Sequence, residues 1–386
     1  MVIKNSEYLQ ADTHIEGIPD LIYERKEAEE LKNRIIGYFN GVGQSFTRLL
    51  SGPSGSGKTI SILYIIYNFI QQNPQFSKDI IYINGTQVRA PKSMFNYLAR
   101  QLDVYINENK TTISAMAGGV QKAINESQRR KLVIIDEVDK IYKNSRESPK
   151  YLFLHSLNRM DVRPKHSILL ITNDFNLTRN FDSELTGNIE VETTFEAYTA
   201  EDILKILKLR AKYCLQHGSY AVDDLAKISS EVFQNPTGGD RANIRHALNI
   251  LSTAARIAQE RNKQIRDVLD ESMENVRIDN YTKLLKKYNS HLLILIKTLC
   301  LLKKRNSVGI YQFMNPDIDY DDIKNDFFKL MNEESTKMIS EAQFRKYIEQ
   351  LVDENLLRRI NRARYSFLDN ADDILQAIDK ISKVSR

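Results

Sequence analysis

The sequence predicts an α/β protein in which a parallel five-stranded sheet surrounds a phosphate-binding loop, followed by a helical lid and a C-terminal winged-helix module. Three observations carry this expectation. The motif GPSGSGKT at residues 52–59 stands between a short apolar run and a helix-patterned stretch. Apolar pentapeptides alternate with helical patterns up to about residue 198, after which the pattern is helical only. Near the end, LLRRINRARYSF (356–367) packs four arginines into a hairpin pattern behind three helical segments.

Bulk properties set the outer limits. A chain of 386 residues is long enough for two or three domains, and the pattern divides it as 1–198, 199–282 and 283–386. A hydrophobic content of 42% suits a soluble protein with sizeable cores. The net charge of +5 permits an anionic partner without requiring one. Cys214 and Cys300 both lie in apolar helical patterns, as reduced, buried thiols do. The first residues lack the apolar stretch of a secretion signal. The run from Leu292 to Leu302 is broken by Lys297 and is too short to span a bilayer. A cytoplasmic location and no membrane partner are therefore expected.

The first strand, TRLLS (47–51), leads into the loop of Gly52, Pro53, Ser54, Gly55, Ser56, Gly57, Lys58 and Thr59. This spacing matches G-x-x-x-x-G-K-[ST]. Glycines let backbone N–H groups turn toward phosphates, and the following helix adds the partial positive charge of its N-terminus. Lys58 is expected to reach the β- and γ-phosphates of ATP or ADP, and the Thr59 hydroxyl to ligate Mg²⁺. DIIYING (79–85) supplies a second strand. LVIID (132–136) runs straight into Asp136-Glu137, as a central strand delivering acid to the sheet edge does. Asp136 suits the Mg²⁺ shell, and Glu137 suits polarising an attacking water. SILLITN (167–173) ends in Asn173, whose amide can bond the γ-phosphate or the water without adding charge. NIEVETTF (188–195) gives the fifth strand.

After Thr199, three segments carry apolar residues at helical spacing. In the third, Asp240 is placed to cap a helix holding Arg241 and Arg245 on one face. Either arginine can reach back to a γ-phosphate. Beyond Tyr281, HLLILIKTLCLLKK, DDIKNDFFKLMNEE and SEAQFRKYIEQLVDEN read as helices, the last opened by the capping pair Ser340 and Gln343. Phe344, Ile348, Leu351 and Val352 define its buried face. The arginine stretch then forms a hairpin with Tyr365 and Phe367 on one side. Such a module puts its third helix, with Arg345 and Lys346, into a DNA major groove. Its hairpin lays Arg358, Arg359, Arg362 and Arg364 along the backbone or minor groove. Modules of this shape also bind proteins, and Glu349, Asp353 and Glu354 weaken the case for base reading by the helix.

GPSGSGKT, LVIIDEVDK, ITND and IRHALNIL together resemble an AAA+ ATPase. With the C-terminal module they resemble the archaeal replication initiators, which are similar to eukaryotic origin recognition complex subunits and a related helicase-loading factor. The resemblance implies that PDLIYERKEAEEL (19–31) folds over adenine, with Arg25 at the nucleotide. It implies a sensor role for Arg245, with Arg241 as the alternative. It implies that TQVRAPKSMFNYLARQLDV (86–104) approaches DNA, with Arg89, Lys92 and Arg100 as contacts. The implied partners are double-stranded origin DNA, paralogous initiator subunits and the replicative helicase. Where the family carries an arginine that reaches a neighbour's nucleotide, this chain has Glu184, and Arg179 lies off register. Weak or partner-dependent hydrolysis is the expectation. The other readings are a regulatory paralogue with a vestigial ATPase and a clamp-loader-type machine.

Overall fold

The computed structural model describes residues 2–9, 22–88, 90–105, 112–126, 129–143, 166–175, 177, 189, 191–234, 242–306, 317–354, 356–361, 363–367 and 370–384. Two compact units form, residues 12–198 and residues 199–386 joined by the first eleven.

The first unit holds strands β1 (Thr47–Ser51), β2 (Ile80–Asn84), β3 (Lys131–Asp136), β4 (His166–Ile171) and β5 (Val191–Thr194). All pair in parallel, in the order β2-β3-β4-β1-β5. All five expected strands are present. Every residue of β3 and β4 is buried, which is why they read as unbroken apolar runs rather than alternating ones. Their side chains still alternate in direction. Leu50, Leu132, Ile134, Leu169 and Ile171 pack under α1 (Lys26–Phe39) and α2 (Lys58–Gln72). Leu49, Val133, Ile135, Ile168 and Leu170 pack on the other side. That side is covered by α4 (Pro91–Gln101), α5 (Ile113–Glu126) and α6 (Val138–Lys143), with the short α3 (Gly85–Val88) leaving β2. Each buried Leu or Ile contributes about 1.5–3 kcal/mol, so two such layers fix the sheet. Leu169→Ala would cost about 2–5 kcal/mol.

The second unit opens with α7 (Ala200–Cys214), where Thr199 and Asp202 form a capping box, followed by α8 (Val222–Gln234) and α9 (Ile244–Glu260). The cap of α9 differs from expectation. Ala242 takes φ 53°, and the helix starts after it. Asn243 caps it by accepting from the Arg245 amide at 3.0 Å; Asp240 and Arg241 lie outside the described residues. Residues 2–9 pack on this unit. The Lys4 amide donates to the Cys214 carbonyl at 2.7 Å, and the buried Arg210 guanidinium donates to the Tyr8 carbonyl at 2.8 Å. No sequence pattern announced that attachment.

Next comes α10 (Leu269–Leu285), so the expected boundary at 282/283 falls inside its last turn. Its Arg277 donates to Asp373 at 2.9 Å and pairs with Glu231 of α8. The C-terminal part runs α11 (Ser290–Asn306), β6 (Asp317–Asp319), α12 (Tyr320–Glu333), α13 (Glu341–Asp353), β7 (Leu357–Arg359), β8 (Arg364–Phe367) and α14 (Ala371–Val384). A three-stranded antiparallel sheet in the order β6-β8-β7 closes against the helices, which is the order of a winged helix. Phe344, Ile348, Leu351, Tyr365 and Phe367 share its core. Ser340 accepts from the Gln343 amide at 3.2 Å, one half of the expected capping box. The strand β6 and the helix α14, which packs on α10 and α11, are additions to the sequence reading. Among the described residues no helix is long and apolar enough to cross a membrane.

Candidate functional site

The phosphate loop joins β1 to α2. Gly57 takes φ 88°, and a Cβ there would lie 2.2 Å from the Tyr198 hydroxyl. Glycine is required both by conformation and by space. Lys58 is buried, and its Nζ donates to the carbonyls of Gly52 and Pro53, each at 2.8 Å, and to Ser56 Oγ at 3.3 Å. The ammonium is thus held inside the curve of the loop, where phosphate oxygens would compete for its three donors.

β1 and β3 are separated by β4, a gap of roughly 10 Å between strands. The loop closes it, because Thr59 Oγ1 donates to Asp136 Oδ2 at 2.9 Å. Asp136 is 3% exposed. The same Oδ2 accepts from the Tyr82 hydroxyl at 2.7 Å, and Oδ1 accepts from the Glu137 amide at 2.8 Å. Three donors thus satisfy this buried carboxylate inside the fold. Burial, then the Asp136 charge, drives the Tyr82 hydroxyl far above its ordinary range, so it remains a donor. Glu137 takes φ 51°, and its carboxylate accepts from the Thr86 hydroxyl. A Cβ on Gly85 would lie 2.3 Å from the Glu137 carbonyl oxygen, so glycine also lets the β2 end approach this acid. Asn173 is exposed just past β4. Its neighbour Thr172 is buried and donates to Asp139 Oδ1 at 3.1 Å, bracing the strand end.

Beside α2 lies a cavity of about 220 Å³ lined by Tyr23, Glu24, Arg25, Ser61, Tyr64 and Asn68 among others. Ser61 Oγ is buried there without a hydrogen-bond partner. Arg25 donates to the Glu196 carbonyl at 2.8 Å, pairs with Glu27, and lies 4.6 Å from the Tyr198 ring centroid. Its guanidinium is therefore tied into the wall.

The donor set fits a nucleotide and a small hard cation. A hydroxyl and a carboxylate stand together, and Mg²⁺ asks for one or two such protein oxygens beside phosphate and water. The cradle at Gly57 has no room for a side chain.

The basic residues separate into two kinds. Arg345 pairs with Glu341 at 2.9 Å, and Arg359 pairs with Glu349 while lying 5.6 Å from the Tyr365 ring centroid. Lys346, Arg358 and Arg364 are exposed and make no ion pair among the described residues. Asn361 Oδ1 accepts from the amides of Ala363 and Arg364, each at 2.9 Å, and so shapes the hairpin tip. Lys92 and Arg100 are exposed on α4, and Arg245 is exposed in the first turn of α9. Arg89, Arg362, Arg179 and Glu184 lie outside the described residues. Sequence reasoning missed Tyr82 and Thr86. The register that sets Asn84 opposite Asp136 is their only signal, and strand order has to be known first.

An AAA domain model matches residues 47–180. The fold and this loop thus define an AAA+ P-loop core followed by helices and a winged-helix module. The chain is 24% identical over 340 residues to an ORC1-type DNA replication protein of Thermococcus onnurineus, covering 84% of this chain and 79% of that protein. An ORC1-type DNA replication protein 1 of Methanosarcina mazei is 24% identical over 319 residues, covering 80% and 73%. In structure the chain is similar to Aeropyrum pernix ORC1 in complex with DNA, with a TM-score of 0.71, 18% identity, and coverage of 100% and 98%. The resemblance to the archaeal replication initiators therefore holds in sequence and in fold.

Proposed function

We propose that the chain is an ATP-binding replication initiator that grips double-stranded origin DNA. Its wing hairpin and the α3–α4 element make the contacts. One observation carries this reading: a preformed phosphate loop and a hairpin with uncommitted arginines, Arg358 and Arg364, occur in a single chain. The replication role of its sequence relatives supports it.

In this reading Lys58 and the loop amides hold the phosphates, and the base lies in the cavity between Tyr23 and Tyr64. Thr59 and Asp136 hold Mg²⁺, which when bound neutralises charge on the β- and γ-phosphates. Glu137 orients water, on a carboxylate that also accepts from the Thr86 hydroxyl. Asn173 and Arg245 act on the γ-phosphate. With Glu184 in place of the family's arginine, turnover is weak or depends on paralogous initiator subunits, and the nucleotide serves as a switch. The protein works at the nucleoid, where it can meet the replicative helicase. Glu184 also favours a second reading, a regulatory DNA-binding paralogue whose ATPase is vestigial.

Gel shifts on origin and random duplexes at several salt concentrations, with and without ATP, test the proposal. Preference for origin DNA with a steep salt slope is expected. Binding that is equal on both duplexes and flat in salt overturns it. Strong self-activated hydrolysis by the purified chain would overturn the weak-turnover part.

A further inference from the structure

Asp136 has four acceptor positions on its carboxylate. On Oδ1, the Glu137 amide takes one at 2.8 Å. On Oδ2, Thr59 takes one at 2.9 Å and Tyr82 the other at 2.7 Å. Oδ2 is thereby filled, and a single position remains on Oδ1. The Thr59 and Glu137 bonds belong to the loop motif and to the chain's own turn. The Tyr82 bond comes from the neighbouring strand β2, two residues before Asn84, which stands opposite Asp136. A tyrosine anchored in a sheet is rigid, and its ring cannot follow the loop. It therefore holds the carboxylate plane while the loop adjusts to a ligand.

We infer that Tyr82 is a positioning residue for Asp136, fixing the rotation of its carboxylate so that Oδ1 alone is open to a hydrated divalent cation. The inference rests on the nucleotide-binding reading of this site. Without the phenol, Oδ2 offers a second open position and the carboxylate can turn between two ways of meeting the cation. Groups that orient a metal's carboxylate partner from behind typically alter metal affinity by roughly 10–100-fold. Tyr38 is the natural control. It is a buried tyrosine of the same unit, donating to the Lys131 carbonyl at 3.0 Å at the opposite end of β3.

The test is calorimetric titration of the full chain with ATP, in excess EDTA and across a MgCl₂ series, for wild type, Tyr82→Phe and Tyr38→Phe. Tyr82→Phe is expected to raise the MgCl₂ midpoint roughly tenfold, with a much smaller change in EDTA. Tyr38→Phe is expected to lower the melting temperature and leave the midpoint in place. In the background of Asp136→Asn, adding Tyr82→Phe should shift the midpoint no further, as a group acting through Asp136 requires. A wild-type midpoint for Tyr82→Phe overturns the inference. So does an equal loss in EDTA and Mg²⁺, or an additive loss with Asp136→Asn. Failure of wild type to bind ATP in either arm overturns the nucleotide reading itself, a result distinct from these.

Discussion

The phosphate loop and the wing hairpin are both cationic, yet they are built on opposite plans. Lys58 and Asp136 are buried, each bonded to several partners before any ligand arrives. Arg358 and Arg364 stand in solvent on a hairpin whose tip is shaped by Asn361. A buried charge has to be matched inside the fold or it costs several kcal/mol, so the loop carries its own scaffold. An exposed charge is free to remain unmatched, and the wing keeps some arginines uncommitted while spending others on internal pairs. The lesson is that counting charges identifies a buried site well and an exposed one poorly.

The largest expected effect asks whether the two regions are independent. Phe344→Ala removes the centre of the winged-helix core and should destabilise it by about 3–5 kcal/mol. DNA binding should fail near the new melting transition while ATP binding to the other unit persists in calorimetry. Joint loss would show one cooperative unit. Next, Lys58→Ala deletes a buried cation and should weaken ATP binding by about 3 kcal/mol, roughly a hundredfold. Its gel-shift affinity for DNA should move by less than about twofold, since the hairpin needs no nucleotide.

A comparable effect comes from pH. His246 of α9 is buried; desolvation lowers its pKa to about 4, with Arg277 lowering it further and Glu231 opposing. The folded value lies below the ordinary one, so the fold holds the neutral ring. That contribution is whole above pH 6.5 and is lost as pH falls toward 4. Its ceiling is about 3 kcal/mol. Melting temperatures should drop across that window in wild type, and His246→Leu should flatten the drop.

The smallest effects sharpen the difference between committed and uncommitted arginines. Arg358→Ala and Arg364→Ala should each reduce the salt slope of DNA binding by about one. Arg345→Ala removes a side chain already paired with Glu341 and should change the slope less. Equal slopes for all three would erase the distinction.

Much of the first unit was legible because its signals are local. GPSGSGKT is contiguous, and β3 carries its acid on the residue where the strand ends. What was illegible depends on neighbours brought together by the strand order β2-β3-β4-β1-β5. Tyr82 looks like any half-buried strand tyrosine until β2 is known to pair with β3. Thr86 looks like an ordinary loop threonine until Gly85 lets it approach Glu137. In the wing, the hairpin was plain from Tyr365 and Phe367. The pairing of Arg359 with Glu349, ten residues away on α13, was not. The strand β6 escaped notice because Asp-Ile-Asp offers one apolar residue and no alternation. Its Ile318 is nevertheless fully buried.

The helix α10 has a mechanical meaning. It packs with the lid helix α9, its C-terminal residues Tyr281 and Leu285 enter the winged-helix core, and Arg277 ties it on both sides. A continuous helix resists bending because flexing it stretches a whole ladder of hydrogen bonds. Lid and wing therefore share one unbroken helix, a strut through which a tilt of either one strains the other.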